Sequence, residues 1–438
     1  MSLVGSGQED VARGLTDSMA SQKKSGHAVR IGVIGLGMAG AAMVPAIESH
    51  PDFILAGAAD PHGELRARFA RDHGCPVNAS AAELMQRADI DAVYVATPHQ
   101  WHREHAVLAA RSGKHAIVEK PMALSLGDCD EMIAAFRRSG TVLVVGHTHS
   151  FDPAIRLMRE IITSGEVGRL SMISMANYTD FIYRPRRPEE LDTSLGGGIL
   201  FNQIPHQVDI ARLLSGSEVR QVRATTGILD HSRPTEGSCM AMLSFDDGAA
   251  ASLIYSGYDR FDSDELHGWI GESGQPKTPN HGATGRALAA VADRAEEARI
   301  RAESFGYGGV RNWQPGQGER WHQPHFGVLV VSCENADLRQ SADGILIYTQ
   351  SGIRELPIPV SKGRPGRGDV LDEFYQAIVK GAAPPHDGKF ARATLEVCLA
   401  IQESSRSRRE VILPVAGLSV ASPVRGSDGM NLADIASP

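Results

Sequence analysis

Between residues 29 and 146, short apolar runs alternate with longer stretches whose apolar positions recur every three or four residues. The strand-like runs are 30–34, 53–59, 92–96, 115–118 and 142–145, and helix-like stretches at 63–73, 81–88, 101–112 and 126–139 fall between them. This rhythm predicts an α/β unit with a doubly wound parallel sheet over residues 29–150. After about residue 165 the strands lengthen and are joined by turn signals: Asp246-Asp247-Gly248, Asp343-Gly344 and Ser351-Gly352. Residues 151–414 therefore read as an α+β domain with a large open, mostly antiparallel sheet. Helices are expected near 198–214, 371–380 and 392–404, the last two placed to pack back on the first domain. An insertion at about 272–324 has an Ala/Arg/Glu-rich centre, and the polar ends 1–28 and 415–438 read as flexible tails.

The first apolar run ends in Gly35-Leu36-Gly37-Met38-Ala39-Gly40 and leads into a helix-like stretch. Strand, glycine turn and helix in that order seat a dinucleotide pyrophosphate on a helix N-terminus. Gly35 permits the tight turn, Gly37 lets a phosphate approach the backbone, and Gly40 allows close helix–strand packing. The second run ends in Asp60, twenty residues after Gly40, where a carboxylate holds the adenosine ribose hydroxyls. A carboxylate repels a 2′-phosphate, and Pro61, His62 and Gly63 follow it rather than Arg. NAD is expected over NADP, with Arg66 and Arg68 the nearest cations in sequence.

Bulk properties narrow the class. A chain of 438 residues exceeds one ordinary core and predicts two domains. A net charge of −8 gives no support to nucleic-acid binding, and no apolar stretch approaches a membrane span. Five widely spaced cysteines fit buried thiols in a reducing compartment rather than a disulfide or zinc framework. Residues 1–28 lack an apolar signal core, so a cytoplasmic location is expected.

Candidate chemistry comes from four segments. Glu119-Lys120-Pro121 follows the fourth long strand run, and ligands in open α/β sheets bind beyond strand carboxyl ends. Lys120 is thereby aimed at a nicotinamide, against the common alternative of a surface lysine. After Gly196-Gly197-Gly198, Asn202 and His206 stand four apart and would share one helical face, with Asp209 three further on. A satisfied structural histidine weighs equally there. His147 and His149 would point to one face of an extended strand, but no Cys, Asp or Glu stands at a companion spacing. Hydrogen bonding in a substrate pocket is preferred to a metal. Arg184, Arg186 and Arg187 are stiffened by Pro185 and Pro188; they suit carboxylate recognition, or else form a solvated loop paired with Glu189 and Glu190.

Together the glycine turn, Thr97-Pro98-His99-Gln100-Trp101-His102, Glu119-Lys120-Pro121 and the glycine-triplet helix resemble the Gfo/Idh/MocA family of nicotinamide-dependent oxidoreductases over residues 29–405. The resemblance implies a Rossmann domain followed by a domain whose open sheet also forms a homo-oligomer interface. It makes Lys120 and His206 the proton-handling pair, assisted by Asn202. It adds Thr97, His99, His102 and Glu119 to cofactor contacts at Gly35, Gly37, Met38, Ala39, Gly40, Asp60 and Lys120. Two departures stand out. Asn202 and Ile204 replace a common Asp and Gly, and Asn orients a hydroxyl without taking its proton. The family's frequent Arg after the sixth strand is missing from Gly146-His147-Thr148-His149.

Within the family, residues 119–126, 146–151, 177–192 and 323–326 are most similar to phthalate 4,5-cis-dihydrodiol dehydrogenases. That likeness implies NAD-dependent oxidation of 4,5-dihydro-4,5-dihydroxyphthalate. Substrate contacts would come from His147, His149, Tyr178, Arg184, Arg186, Arg187 and His206. A sugar or inositol-type polyol dehydrogenase, and a non-catalytic NAD-sensing regulator, are the alternatives.

Overall fold

The computed structural model describes residues 28–309, 321–359 and 366–414. The tails expected before residue 28 and after 414 lie outside the described residues, as does insertion segment 310–320. The first sheet comprises β1 (Val29–Ile34), β2 (Phe53–Ala59), β3 (Val77–Asn78), β4 (Ala92–Val95), β5 (His115–Glu119) and β6 (Leu143–Gly146). Its order is β3-β2-β1-β4-β5-β6, and every pairing is parallel. Helices cover both faces, which is why these runs are continuously apolar rather than alternating. Ile31, Val33, Val93, Ile117 and Val144 are fully buried. Strand order reverses between β1 and β4, and this switch point opens the crevice into which β1, β4 and β5 deliver their carboxyl ends.

Two glycines in the first turn are dictated by geometry. Gly35 has φ +92°, and a side chain there would sit 2.7 Å from the Ala96 carbonyl oxygen. A Cβ on Gly40 would lie 1.9 Å from the Gly35 oxygen, so the helix carrying it could not close on the strand.

The second sheet contains β7 (Leu170–Tyr178), β8 (Val219–Gly227), β9 (Ser238–Phe245), β10 (Ala250–Ser256), β11 (Val328–Cys333), β12 (Asp337–Gln340), β13 (Gly344–Thr349), β14 (Gly352–Pro357) and β15 (Val411–Ile412). The order is β14-β13-β12-β11-β7-β10-β9-β8-β15; among the described residues only β7 and β10 pair in parallel. The three turn signals join β9 to β10, β12 to β13 and β13 to β14, as their Gly-containing sequences predict. Ile173, Met175, Leu243 and Leu253 face inward, under helices Ile204–Ser215 and Gly388–Ser407. The opposite face leaves Met172, Met240 and Met242 exposed.

Two late segments return to the first sheet. Helix Arg367–Lys380 buries Val370, Leu371 and Phe374 in the first domain's core, where the Phe374 and Phe53 rings stack at 6.3 Å. The insertion forms helices Ala283–Ala289 and Arg294–Phe305 and then meets the glycine turn, Tyr307 N donating to Leu36 O at 2.9 Å. The Tyr307 hydroxyl bonds His73 at 2.6 Å and Asp72 at 3.0 Å. No helix among the described residues is long and apolar enough to cross a membrane.

Candidate active site

Helix Met38–Ser49 begins at Gly37 with no capping side chain and no acidic residue in its first turn. The helices beginning after Ser125 and Asp387 are capped by those side chains. Gly37 and Met38 are exposed, so the first amide groups of the helix face outward and suit an anion. Asp60, only 8% exposed, accepts from Leu36 N at 2.9 Å and from His62 N at 2.8 Å, fixing a carboxylate at the end of β2. Arg66 is spent on the Asp60 and Pro61 carbonyls, and Arg68 leans toward Asp72 at 3.7 Å. This donor set fits NAD: the glycine turn for the pyrophosphate and Asp60 for a ribose.

The segment after β4 is braced rather than open. His102 is fully buried with its ring nitrogens 2.8 Å from Thr97 O and 2.9 Å from Pro121 O, so it ties that segment to the turn carrying Lys120. Its nitrogens are thereby occupied by backbone, and a direct cofactor contact through them does not fit. Thr97 Oγ1 lies 3.0 Å from His105, and His99 Nδ1 lies 3.1 Å from Gly196 O. Burial pushes His99 down to about 3, so it is neutral.

Lys120 leaves the end of β5 through a cis peptide to Pro121. Its Nζ donates to the main-chain oxygen of Asn202 at 2.7 Å, across the boundary between the two domains. Burial lowers its pKa, Glu119 and Glu272 oppose that only in part, and Arg186 and Arg367 add to it.

The helix expected over 198–214 is broken. Gly198–Asn202 and Ile204–Ser215 are separate helices, with Gln203 at φ −118° between them. Pro205 has no N–H to give to Phe201 O, and its ring crowds that carbonyl. Asn202 and His206 therefore do not share one helical face. The Asn202 amide instead donates to Gly196 O (3.0 Å) and Gly198 O (2.7 Å), closing the glycine turn, so the proposed hydroxyl-orienting donor is already committed. What Asn202 offers Lys120 is backbone.

His206 is 6% exposed, with its ring 4.7 Å from the His149 ring and 5.0 Å from Phe326. Its Nδ1 has no hydrogen-bond partner among the described residues. Burial, followed by the charges of Lys120 and His149, pushes its pKa far down and keeps it neutral.

β6 ends at Gly146, and Thr148–Phe151 is a 3₁₀ turn closed by Ser150 Oγ donating to His147 O at 2.7 Å. His147 and His149 thus do not lie on one strand face. His147 is 1% exposed, 3.6 Å from Asp209, and burial pushes it down to about 4. His149 lies 2.9 Å from Asp152 and 2.9 Å from Glu272. Burial opposes its charge, but the two carboxylates prevail and lift it to about 9, so it is an imidazolium.

The three arginines separate. Arg187 pairs with Glu189 (3.2 Å) and Glu190 (3.4 Å), the solvated-loop alternative. Arg186 is 7% exposed, lies 3.9 Å over the Phe181 ring and bonds Phe181 O. Arg184 pairs with Asp180 at 2.6 Å, and its charge acts on Glu272. Tyr178 sits beside Phe261, the rings 5.5 Å apart, with its N–H donated to Ser263.

Sequence reasoning missed Glu272, Asp152 and Arg367. Arg367 lies 3.2 Å from the Tyr94 hydroxyl and 3.5 Å from Glu119, and Tyr94 donates to Glu119, making a buried triad directly before Lys120.

Residues 29–147 match the family model described as an oxidoreductase family with an NAD-binding Rossmann fold, and residues 155–274 match the GFO/IDH/MocA C-terminal domain. A Comamonas testosteroni protein is 40% identical over 384 residues, 86% of this chain and 95% of its own. The chain belongs to the Gfo/Idh/MocA oxidoreductase family. That relative is a 1-carboxy-3-chloro-3,4-dihydroxycyclohexa-1,5-diene dehydrogenase. A solved Bordetella bronchiseptica RB50 chain, whose assignment as a dehydrogenase is provisional, is 48% identical with a TM-score of 0.84, covering 88% of this chain and all of its own. A Thermotoga maritima myo-inositol 2-dehydrogenase is 29% identical over 46% of this chain and 59% of its own. As a Gfo/Idh/MocA member the protein is an NAD-binding oxidoreductase.

Proposed function

We propose that this protein is an NAD-dependent dehydrogenase that oxidises the cis-dihydrodiol of an aromatic carboxylic acid, with 4,5-dihydro-4,5-dihydroxyphthalate as the leading substrate. The observation that carries this reading is a buried amine of lowered pKa, anchored on Asn202 O, beside a cluster containing neutral His206, cationic His149 and Arg184. The relative at 40% identity, whose name specifies a carboxylated ring diol, supports the substrate class.

NAD, held at the glycine turn and Asp60, supplies the hydride acceptor. Neutral Lys120 takes the proton of the reacting hydroxyl, and burial of the ammonium form favours that neutral state. His206 offers an uncharged ring nitrogen to hold the hydroxyl in line. His149 and Arg184 supply the positive charge that a ring carboxylate requires. Loss of two hydrogens leaves a ring ketone that enolises to the catechol, and the regained aromaticity makes the oxidation favourable. The exposed methionines on the second sheet support assembly of copies through that face.

A polyol reading is favoured by partial matches to inositol dehydrogenases, each covering about half of this chain. The deciding measurement is NADH formation with phthalate dihydrodiol, a monocarboxylated cis-dihydrodiol, myo-inositol and glucose. Carboxylated diols are expected to exceed the polyols by about 10²-fold or more in kcat/KM. Equal or faster turnover of inositol replaces the proposal, and tight NAD binding without reduction by any substrate favours a regulator.

A further inference from the structure

The insertion opens on a turn that places a carboxylate inside the candidate active site. Gly271 N donates to Gln275 O, Gly274 N to Gly271 O, and His325 N to Glu272 O at 3.1 Å, so the backbone around Glu272 is pinned on both sides. The side chain is 39% exposed, yet its Oε1 reaches His149 Nε2 at 2.9 Å. Thr148, Asp152, Ser273, Pro324 and Arg367 line the cleft with these two residues.

Two cations face Glu272, the imidazolium of His149 and the guanidinium of Arg184. They hold its carboxyl down against the burial that opposes its charge, and it acts in turn on Lys120. Asp152, the other carboxylate on His149, differs in being 4% exposed on its side chain and built into the turn before helix Pro153–Ser164. Asp152 is therefore enclosed, whereas the Glu272 side chain keeps solvent on one side.

We propose that Glu272 occupies the enzyme's carboxylate subsite as an internal stand-in, and that the substrate's ring carboxylate displaces it from His149. This inference rests on the aromatic-carboxylate reading above. The exchange makes and breaks no covalent bond and swaps one anion for another, so the charge of the cluster is conserved. An uncharged diol has no group to exchange and meets a filled subsite. Glu272 is thus a specificity-determining residue supplied by the insertion.

The test uses the full chain with NADH bound and two probes, 3,4-dihydroxybenzoate and catechol, titrated calorimetrically into wild type, E272Q and E272D. E272Q keeps the shape and removes the competing charge, and Asp152 remains to hold His149 protonated. Binding of 3,4-dihydroxybenzoate is expected to tighten about tenfold, the scale of one charge-assisted hydrogen bond gained. Catechol affinity stays unchanged, and E272D retains the wild-type ratio. Equal changes for both probes, or weaker dihydroxybenzoate binding in E272Q, overturn the inference. Titration requires no turnover, so dihydrodiols left unoxidised in the substrate panel count against the proposed function alone. An unaltered probe ratio in E272Q counts against the subsite alone.

Discussion

Replacing Lys120 by Met is expected to lower kcat by about 10²-fold or more while leaving NAD affinity nearly unchanged, the usual scale of a lost general base. The two effects separate because the nucleotide's affinity is assigned to the glycine turn and Asp60, and Lys120 touches neither: its Nζ bonds Asn202 O. Methionine matches the length of the buried stem and carries no charge. Fluorescence titration of NAD and steady-state kinetics on the best substrate of the panel measure the two quantities. The pH profile adds a signature that a packing defect would lack. Neutral lysine is the working form, so wild-type kcat/KM rises with pH through the Lys120 pKa. That midpoint lies below the ordinary value of about 10.4 because burial disfavours the ammonium. The rising limb disappears in Lys120→Met. Full activity in that variant refutes the assignment.

The second large effect concerns stability. Arg367→Met leaves the Glu119 carboxylate buried without its cation. Side-chain exposures of 10% for Arg367 and 11% for Glu119 mean that water cannot take the arginine's place. Removing one member of such a pair costs about 3 kcal/mol or more, because the remaining charge keeps its desolvation penalty. Calorimetry should show the melting temperature falling by about 5 °C or more. Adding Glu119→Gln to Arg367→Met removes the orphaned charge, and the double variant should regain much of the loss. A single variant that melts with wild type shows that the triad contributes nothing.

The parts of this architecture that sequence reveals are those set by neighbours in the chain. Gly40 is required by its contact with the Gly35 carbonyl in the same turn, Gly35 by its own φ of +92°, and Asp246-Asp247-Gly248 needs only its own two strands. Lys120 was legible because a strand end fixes where the next residue points. The break before His206 had a local signal too, Pro205, but helical spacing hid it when 198–214 was read as one run. His149 was legible as a polar group, not as an imidazolium. Its charge comes first from Asp152, three residues on and brought to it by the 3₁₀ turn, and then from Glu272, 123 residues away on a turn whose own sequence carries no mark of catalysis. Arg367 reaches Tyr94 across 273 residues, through a helix that crosses back from the second domain. Such pairings are products of the tertiary fold, and no periodicity announces them.

The 2.7 Å bond from Lys120 to the Asn202 carbonyl spans the seam between the two halves of the molecule. The amine's alignment is consequently a property of the joint, not of either half. On the role proposed for Lys120, a hinge excursion of about 1 Å, too small to wet any apolar interior, would be enough to misalign the base. Turnover would then gauge how tightly the halves are clasped, and on heating it is expected to fall before either of them melts.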